Sequence, residues 1–438
     1  RDSSTSRGLG DVYKRQINYL INHYLLNRNY YYYLLRIGGI YYLRSCLKYL
    51  YKLKYRMRGI MKIGIVTLIY ATKFDNYGGT LQNYALSQVL SDMGHEVSTI
   101  ALYYSKEPFC LYGKIRRKLY CKYGIDVRIS KKGIQCAKVE KYQKKRNDNF
   151  LQFRSEKIHT DTRWIEKNNF RNLDSEYDLF IVGSDQVWNP YWAVNKTTFD
   201  GFFLRFAKKD KRVSYAASFG VSMIPENQIS DYTKALLEFK RISVREDAGA
   251  SIIKNLCNRE AQVVLDPTLL LDKCQWECIQ KKMLNIQTDS PYILTYFLGE
   301  MPENARDYIE KAFSIKGEMK IYNLAKQNEK DLYALGPSEF IYMISHAKLI
   351  LTDSFHACVF SFIFEKPFIV FDRQDNTADM MSRIENLLKT FSIERKYASS
   401  GMENDLFEAD YQIGHTILNE KRKESIKYLE NISDSSGK

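Results

Sequence analysis

The sequence predicts an α/β protein with two Rossmann-like domains that face each other across a cleft. Short apolar runs typical of buried strands alternate with segments of helical period from Met61 onwards, and the alternation restarts after a break at 268–290. Several of the runs end in polar loops, where parallel sheets usually bind their ligands. A chain of 438 residues is long enough for two domains of ordinary size.

The first alternating unit starts with a strand and a polar, glycine-containing loop at 75–80. This loop either receives a phosphate or makes only a tight turn, and both interpretations remain open. The predicted strands of the unit cover 62–68, 96–102, 178–182, 213–217, 241–244 and 262–265, and its helices cover 81–93, 230–239 and 249–256.

A stretch rich in Lys and Arg, at about 104–170, interrupts this unit. Its pattern is mostly that of loop and helix, most clearly at 138–154. We interpret it as an insertion or a mobile flap over the cleft, in which most of the charged side chains are solvated.

The second unit repeats the alternation after a predicted linker at 268–290. Its predicted strands cover 292–297, 320–324, 348–351 and 368–371, and its helices cover 304–315, 340–345, 357–364, 381–391 and 406–430. The domains are therefore predicted at 61–270 and 271–432, with a disordered polar tail at 433–438.

The formal charge of +15 does not indicate a nucleic-acid partner, because it is concentrated in one segment. Residues 1–60 contain 12 Lys and Arg against 2 Asp and Glu, whereas the remaining residues contain 54 against 49. This leader is also rich in Tyr, and we expect it to be non-native or disordered, with the natural start at Met57 or Met61. A basic aromatic arm in peripheral contact with a membrane is the alternative.

The cysteines indicate neither disulfides nor a metal site. Cys274 and Cys278 have a CxxxC spacing, but no second pair or nearby His accompanies them. No apolar run reaches the ~18 residues that a spanning helix needs. We therefore expect reduced thiols and a cytoplasmic location, with contact at the inner face of the membrane as a second expectation.

The strand at 348–351 ends in the group of side chains most suggestive of chemistry. His356 follows it at the start of a helix, where backbone N–H groups favour an anion. A histidine with a reference pKa of ~6.5 suits a general acid near neutral pH, and a purely structural histidine is the alternative. Asp353 could orient this His, accept a proton or cap the helix, and Ser354 is expected to be a cap.

Loops after other strands supply further candidates. Asp185 is a candidate base or acceptor ligand, although an Asx-turn would also explain it. Gln186 and Trp188 could bind a sugar by hydrogen bonds and stacking. Arg245 could hold an anionic donor bidentately, or form only a surface pair with Glu246 or Asp247.

Six segments, taken in order, resemble the polysaccharide pyruvyl transferase family. They are NYGGTLQNYAL at 76–86, DLFIVGSDQVWNP at 178–190, SYAASFG at 214–220, ISVRED at 242–247, VVLDPTLLL at 263–271 and LTDSFHACVFSFIFEKPFIVF at 351–371. The resemblance implies a fold similar to GT-B glycosyltransferases. It also implies transfer of pyruvyl from phosphoenolpyruvate to sugar hydroxyls of a bacterial surface polysaccharide or its lipid-linked precursor.

The resemblance assigns roles to particular residues. His356 matches the family's proposed acid, Arg245 matches an arginine proposed to hold the donor, and Arg373 is a loose match to a further cation. Ser354 stands where several members have Arg, and Gly79 stands where an acid is common. The predicted catalytic residues are His356, Asp353 and Asp185, and the predicted substrate-binding residues are Arg245, Arg373, Asn76, Gly78, Gly79, Ser184, Gln186, Trp188 and Ser354.

Three functions remain open at this point. The first is a pyruvyl transferase that uses phosphoenolpyruvate as its donor substrate, with no further cofactor. The second is a GT-B glycosyltransferase that uses a nucleotide sugar, because a fold does not fix its chemistry. The third is a non-catalytic protein of glycan assembly.

Overall fold

The computed structural model describes residues 59–68, 76–101, 125–130, 133–138, 141–161, 170–192, 196–283, 286–325, 329–373, 382–393, 396, 398 and 406–433. Residues 61–91 and 95–438 form one compact unit, which contains both of the large sheets. The predictions for the leader up to residue 58 and for the tail after residue 433 lie outside the described residues.

The strands of the described residues alternate with helices along most of the chain. In chain order the strands are β1 Lys62–Val66, β2 Glu96–Ile100, β3 Ile125–Ser130, β4 Gly133–Lys138, β5 Thr160–Asp161, β6 Leu179–Val182, β7 Arg212–Ser214, β8 Ser243–Val244, β9 Gln262–Val263, β10 Tyr292–Tyr296, β11 Lys320–Asn323, β12 Leu349–Thr352 and β13 Phe368–Val370. The α-helices are α1 Tyr77–Asp92, α2 Lys141–Lys157, α3 Phe170–Glu176, α4 Lys196–Phe202, α5 Ile229–Leu236, α6 Asp247–Cys257, α7 Lys273–Glu277, α8 Asn304–Lys316, α9 Lys330–Tyr333, α10 Pro337–His346, α11 Phe355–Ile363, α12 Ser382–Thr390 and α13 Gln412–Ser433.

Two parallel sheets dominate the architecture. The first has the strand order β5-β2-β1-β6-β7, and the second has the order β11-β10-β12-β13. The parallel pair β8–β9 continues the first sheet, since Val213 bridges to Arg241 and Ala217 bridges to Val244. Two parallel sheets with their connecting helices confirm the predicted fold class of two Rossmann-like domains.

The central strands of both sheets are apolar because helices cover both of their faces. Every residue of β6 (LFIV) and of β12 (LILT) is buried. Continuous apolar runs of this kind are typical of parallel strands, and they are what made these strands predictable. The predicted strands are all present, and most are slightly shorter in the structure.

Three predicted segments differ from the structure. The antiparallel hairpin β3–β4 lies within the stretch expected to be helix and loop. Helix α1 starts at Tyr77, so that the glycine-containing segment is its first turn and not a loop. The predicted linker contains α7, whose capping box on Asp272 and buried Trp276 give it a fixed place.

The stretch at 104–170 is built into the fold in its described parts. Strand β5 forms the edge of the first sheet by pairing with β2. Helix α2 confirms the predicted helix near 138–154 and packs against α9 and α10, which belong to the second alternating unit. It is therefore a docked element, and the interpretation as a mobile flap is wrong for α2.

The last helix, α13, returns to the first sheet. The Ser425 hydroxyl accepts a hydrogen bond from the Leu265 N–H at 3.0 Å, and the Tyr428 hydroxyl donates to the Ser214 carbonyl at 2.9 Å. The helix thus ties the end of the chain to the first alternating unit. The domain boundary predicted between residues 270 and 271 is not tested by these contacts and stays a prediction.

Two further properties hold for the described part of the chain. No helix there has the length and apolar character needed to cross a membrane. In the same residues, no group of three or more His, Cys, Asp or Glu side chains is arranged to hold a metal ion.

Candidate functional site

His356 lies where the second sheet meets the first turn of α1. Strand β12 ends at Thr352, and the Ser354 hydroxyl caps α11 by accepting a hydrogen bond from the Ala357 N–H, as expected. The His356 side chain is buried against Gly78, where an added Cβ would lie only 1.9 Å from Nδ1. Glycine at position 78 therefore makes room for the imidazole and does not itself line an open space.

Asp266 is the carboxylate nearest to His356. Its Oδ2 lies 3.9 Å from His356 Nε2 and accepts hydrogen bonds from Ser184 Oγ (3.1 Å) and from Arg245 Nη1 (2.8 Å). Its Oδ1 accepts from the Thr268 N–H and hydroxyl. The segment VVLDP predicts only a turn at this position, so Asp266 was not among the predicted site residues. The indication that the sequence does contain is the place of Asp266 directly after a predicted strand.

The charges around His356 oppose each other. Burial, together with the charges of Arg245 and Arg383, holds the pKa of His356 below its usual value, although the carboxylates of Asp266 and Asp185 raise it. Burial also disfavours the ionised form of Asp266, but His356 and Arg245 hold the pKa of this carboxyl at about 2. The site thus contains a permanent negative charge that stabilises an imidazolium whenever one forms.

Arg245 is buried in a network of acidic and aromatic groups. Besides Asp266, it approaches Glu246 (Nε to Oε2, 3.5 Å) and Asp185 (Nη2 to Oδ1, 3.6 Å), and it stacks over Phe355. Although burial opposes its charge, these carboxylates raise the pKa of Arg245. The structure therefore excludes the interpretation of Arg245 as a solvent-exposed surface pair.

A second buried arginine, Arg383, was not identified from the sequence. It lies on α12, and its Nη1 is 3.9 Å from the Asp185 carboxylate. The Gln186 amide oxygen accepts hydrogen bonds from both Nη atoms in the orientation that suits its neighbours. The pKa of Arg383 is lowered to about 10, mainly by burial and secondly by repulsion from Arg245. The only indication in the sequence is that Arg383 lies one helical turn before the apolar Leu387.

Asp353 and Arg373 are paired with each other, not with His356. The Asp353 carboxylate accepts hydrogen bonds from the backbone N–H groups of Leu298 (2.7 Å) and Gly299 (3.1 Å) and from Arg373 Nε (3.3 Å). The expectations that Asp353 orients His356 or caps α11 are therefore wrong, since its oxygens are used to hold the loop after β10. Arg373 takes part in the same bracing.

Trp188 and Ser184 belong to the interior. Trp188 is fully buried, stacks on Phe203, and donates its indole N–H to the Phe202 carbonyl. The prediction that it stacks on a sugar is wrong, because the loop after β6 folds inward. Ser184 is fully buried as well, so its hydroxyl is committed to Asp266 and not to a substrate.

A cavity of about 480 Å³ lies where the carboxyl ends of the two sheets face each other. Asp185 lines it, and so does Asn76, whose side-chain oxygen caps α1 by accepting from the Gly79 N–H. The full lining consists of Leu68, Asn76, Gly79, Thr80, Arg146, Asp185, Trp192, Tyr296, Phe297, Leu298, Leu324, Ala325 and Tyr333. Residues that follow strands of both sheets thus line one space, at the strand ends where parallel sheets usually bind ligands.

The structure brings most of the predicted residues together in two adjacent groups. Asp185 belongs to both, because it lines the cavity and also contacts Arg245 and Arg383. The buried group comprises Arg245, Arg383, Asp266, Glu246, His356, Gln186 and Ser184, and the cavity group comprises Asn76, Gly79 and Asp185.

Comparison with known proteins identifies one family. The sequence model of polysaccharide pyruvyl transferase matches residues 76–376. A search of curated proteins finds no match.

Solved structures that match include sugar-nucleotide enzymes. Anabaena HepE, in complex with UDP and glucose, has 9% identity and a TM-score of 0.42, with 85% of this chain and 100% of that chain covered. UDP-GlcNAc 2-epimerase from Neisseria meningitidis has 12% identity and a TM-score of 0.37, covering 85% and 100%. ADP-heptose LPS heptosyltransferase II from E. coli has 10% identity and a TM-score of 0.32, covering 84% and 100%. These likenesses are distant.

Proposed function

Because the chain belongs to the polysaccharide pyruvyl transferase family, we propose that it transfers pyruvyl from phosphoenolpyruvate to hydroxyl groups of a sugar. The acceptor is proposed to be a bacterial surface polysaccharide or its lipid-linked precursor. The observation that carries this proposal is a group of two buried arginines, Arg245 and Arg383, that line one pocket and interact with the buried His356.

The arginine pair suits the donor because phosphoenolpyruvate carries both a carboxylate and a phosphate. Guanidinium groups bind either group bidentately, and they stay charged at neutral pH. Arg245 Nε and Nη2 and Arg383 Nε are buried and make no hydrogen bond within the described part of the protein. Such donors are costly to leave unused, and an anion from the donor would satisfy them.

His356 is proposed as the acid. Its Nε2 also makes no hydrogen bond to the described residues. A proton delivered from His356 to the methylene carbon makes C2 of the donor electrophilic, and a sugar hydroxyl then bonds to C2. Loss of phosphate and attack by a second hydroxyl close the cyclic ketal. Asp266 supports this step because its negative charge favours the imidazolium.

The cavity suits a sugar acceptor. Tyr296, Phe297, Trp192 and Tyr333 line it, and aromatic rings provide stacking surfaces for sugar rings. Asp185 is proposed to accept a proton from the attacking hydroxyl. A lipid-linked acceptor would place the protein in the cytoplasm, at the inner face of the membrane.

Calorimetry with the full chain tests the donor. We expect phosphoenolpyruvate to bind and a nucleotide sugar such as UDP-glucose not to bind. Arg245→Ala should weaken phosphoenolpyruvate binding by about 10- to 100-fold, because a charged hydrogen-bonding group is lost. His356→Ala should still bind the donor and yet release no phosphate in the presence of acceptor glycan.

The reverse result would reject the proposal. Binding of UDP-glucose alone would favour a glycosyltransferase, and binding of neither ligand would favour a non-catalytic protein of glycan assembly.

A further inference from the structure

We infer that the Asp185 carboxylate occupies the anion site of Arg245 and Arg383 in the free protein, and that an anionic group of the donor displaces it. Once displaced, Asp185 turns into the cavity and serves the acceptor hydroxyl, so that the donor binds before the acceptor. This inference rests on the proposed function and adds an order of binding and a second role for one residue.

In the part of the chain that the structure describes, the Asp185 carboxylate is held by long ion pairs and not by hydrogen bonds. Its Oδ1 lies 3.6 Å from Arg245 Nη2 and 3.9 Å from Arg383 Nη1, which is beyond hydrogen-bonding distance in both cases. Within the described residues, no hydrogen bond reaches this carboxylate. Asp266 provides the contrast, since it accepts a hydrogen bond from Arg245 at 2.8 Å together with three others.

The position of Asp185 between the two guanidinium groups is also the position that a bound anion would need. Both arginines are nearly fully buried; apart from Asp185, Arg245 is hydrogen-bonded to Asp266 and lies near Glu246, and Arg383 is hydrogen-bonded to Gln186. Both arginines line a separate pocket with Asp266 and Phe355, whereas Asp185 contacts both guanidinium groups and lines the larger cavity. A carboxylate or phosphate that reaches the arginines from the larger cavity therefore meets Asp185 on the way.

The backbone of Asp185 is held in place, whereas its side chain borders the cavity. Residue 185 has a φ of 67°, and its carbonyl accepts hydrogen bonds from the N–H groups of Val187 and Ser218. Asp185, Gly79 and Asn76 line the same cavity of about 480 Å³. This is the space into which the displaced carboxylate would rotate while the loop stays in place.

The displaced Asp185 carboxylate takes part in the reaction. After His356 protonates the methylene carbon, the acceptor oxygen bonds to C2 and its proton passes to Asp185. Before displacement this carboxylate lies against two guanidinium groups. Binding of the donor therefore releases it towards the acceptor hydroxyl, and it does so only when the donor is present.

The test compares the affinity of the wild-type chain with that of Asp185→Asn, using calorimetry with phosphoenolpyruvate and with inorganic phosphate. Removal of a competing internal carboxylate should tighten anion binding roughly tenfold, because apparent affinity scales with the fraction of protein in which the site is open. Asp185→Gly provides a second variant, since glycine suits the positive φ. Asp200→Asn, which removes a carboxylate paired with Arg205 at 3.3 Å, is the matched control and should leave both affinities unchanged.

Each outcome decides a separate point. Tighter binding of phosphoenolpyruvate by the Asn and Gly variants supports the inference. Unchanged or weaker binding overturns it, while the proposed donor stands if the wild type binds phosphoenolpyruvate. If only phosphate binds, and binds more tightly to the variants, the anion site stands and the donor is wrong. If neither ligand binds to any of the proteins, both ideas fail.

Discussion

Among single residues, the assignment of the partner of His356 has the largest consequence. The sequence offered Asp353, only three positions away, but this carboxylate is used by Leu298, Gly299 and Arg373. Asp266 faces His356 from the first alternating unit. The acidity of the histidine therefore depends on how the two halves of the chain meet.

Asp266→Asn should lower the pKa of His356. The Asp266 charge raises this pKa, whereas burial lowers it, so loss of the charge leaves burial with less opposition. The imidazolium should then be lost at a lower pH than in the wild type. The measurement is an NMR titration of the His Cε1–H signals, with His356→Gln to assign the resonance.

Asp353→Asn is the matched control for this titration, because it removes a buried carboxylate that does not contact His356. We expect it to leave the pKa of His356 where it is. A shift with Asp353→Asn and none with Asp266→Asn would contradict the assignment.

Among secondary-structure elements, the first turn of α1 shows why two adjacent glycines differ. Gly78 faces the imidazole of His356, where an added Cβ would lie 1.9 Å from Nδ1. Gly79 faces the cavity, where the nearest atom to an added Cβ is Asp185 Oδ2 at 3.7 Å. One glycine is thus required by packing between α1 and α11, and the other is not.

Gly78→Ala should lower the free energy of unfolding by about 1–3 kcal/mol, because the methyl group must displace His356 or the helix. Gly79→Ala should be neutral or stabilising by up to about 1 kcal/mol, because alanine is the better helix former. Urea unfolding of the two variants measures both values. Equal stabilities would show that His356 does not pack on this turn.

The elements themselves could largely be predicted from the sequence. The apolar runs of β6 and β12 and the helical period of α11 are local signals, and the structure confirms them. Contacts between strand ends depend on tertiary packing, which is why the approach of Asp266 to His356 was missed. Trp188 was misassigned because a polar loop sequence does not reveal that its Trp turns into the core.

For the molecule as a whole, the described elements α2 and α13 both connect the two alternating units. Arg146 of α2 donates hydrogen bonds to the Tyr77 hydroxyl and the Tyr333 carbonyl, both at 2.7 Å, and stacks over the rings of Tyr77 and Phe150. Tyr77 in turn donates to the Leu335 carbonyl at 2.8 Å. Arg146 and Tyr333 also line the cavity, so this junction forms part of the cavity wall.

Arg146→Ala should therefore loosen the molecule at this junction. The loss of a partly buried cation–π stack and of hydrogen bonds from a charged group should cost about 2 kcal/mol of unfolding free energy. Lys145→Ala is the matched control, because among the described residues the neighbouring Lys145 makes only an exposed pair with Asp331 at 3.7 Å and should change stability by less than about 0.5 kcal/mol. Hydrogen exchange would locate the effect, since the amides of α9 and α10 should exchange faster in Arg146→Ala than in Lys145→Ala. Equal exchange in the two variants would mean that α2 does not hold the two units together.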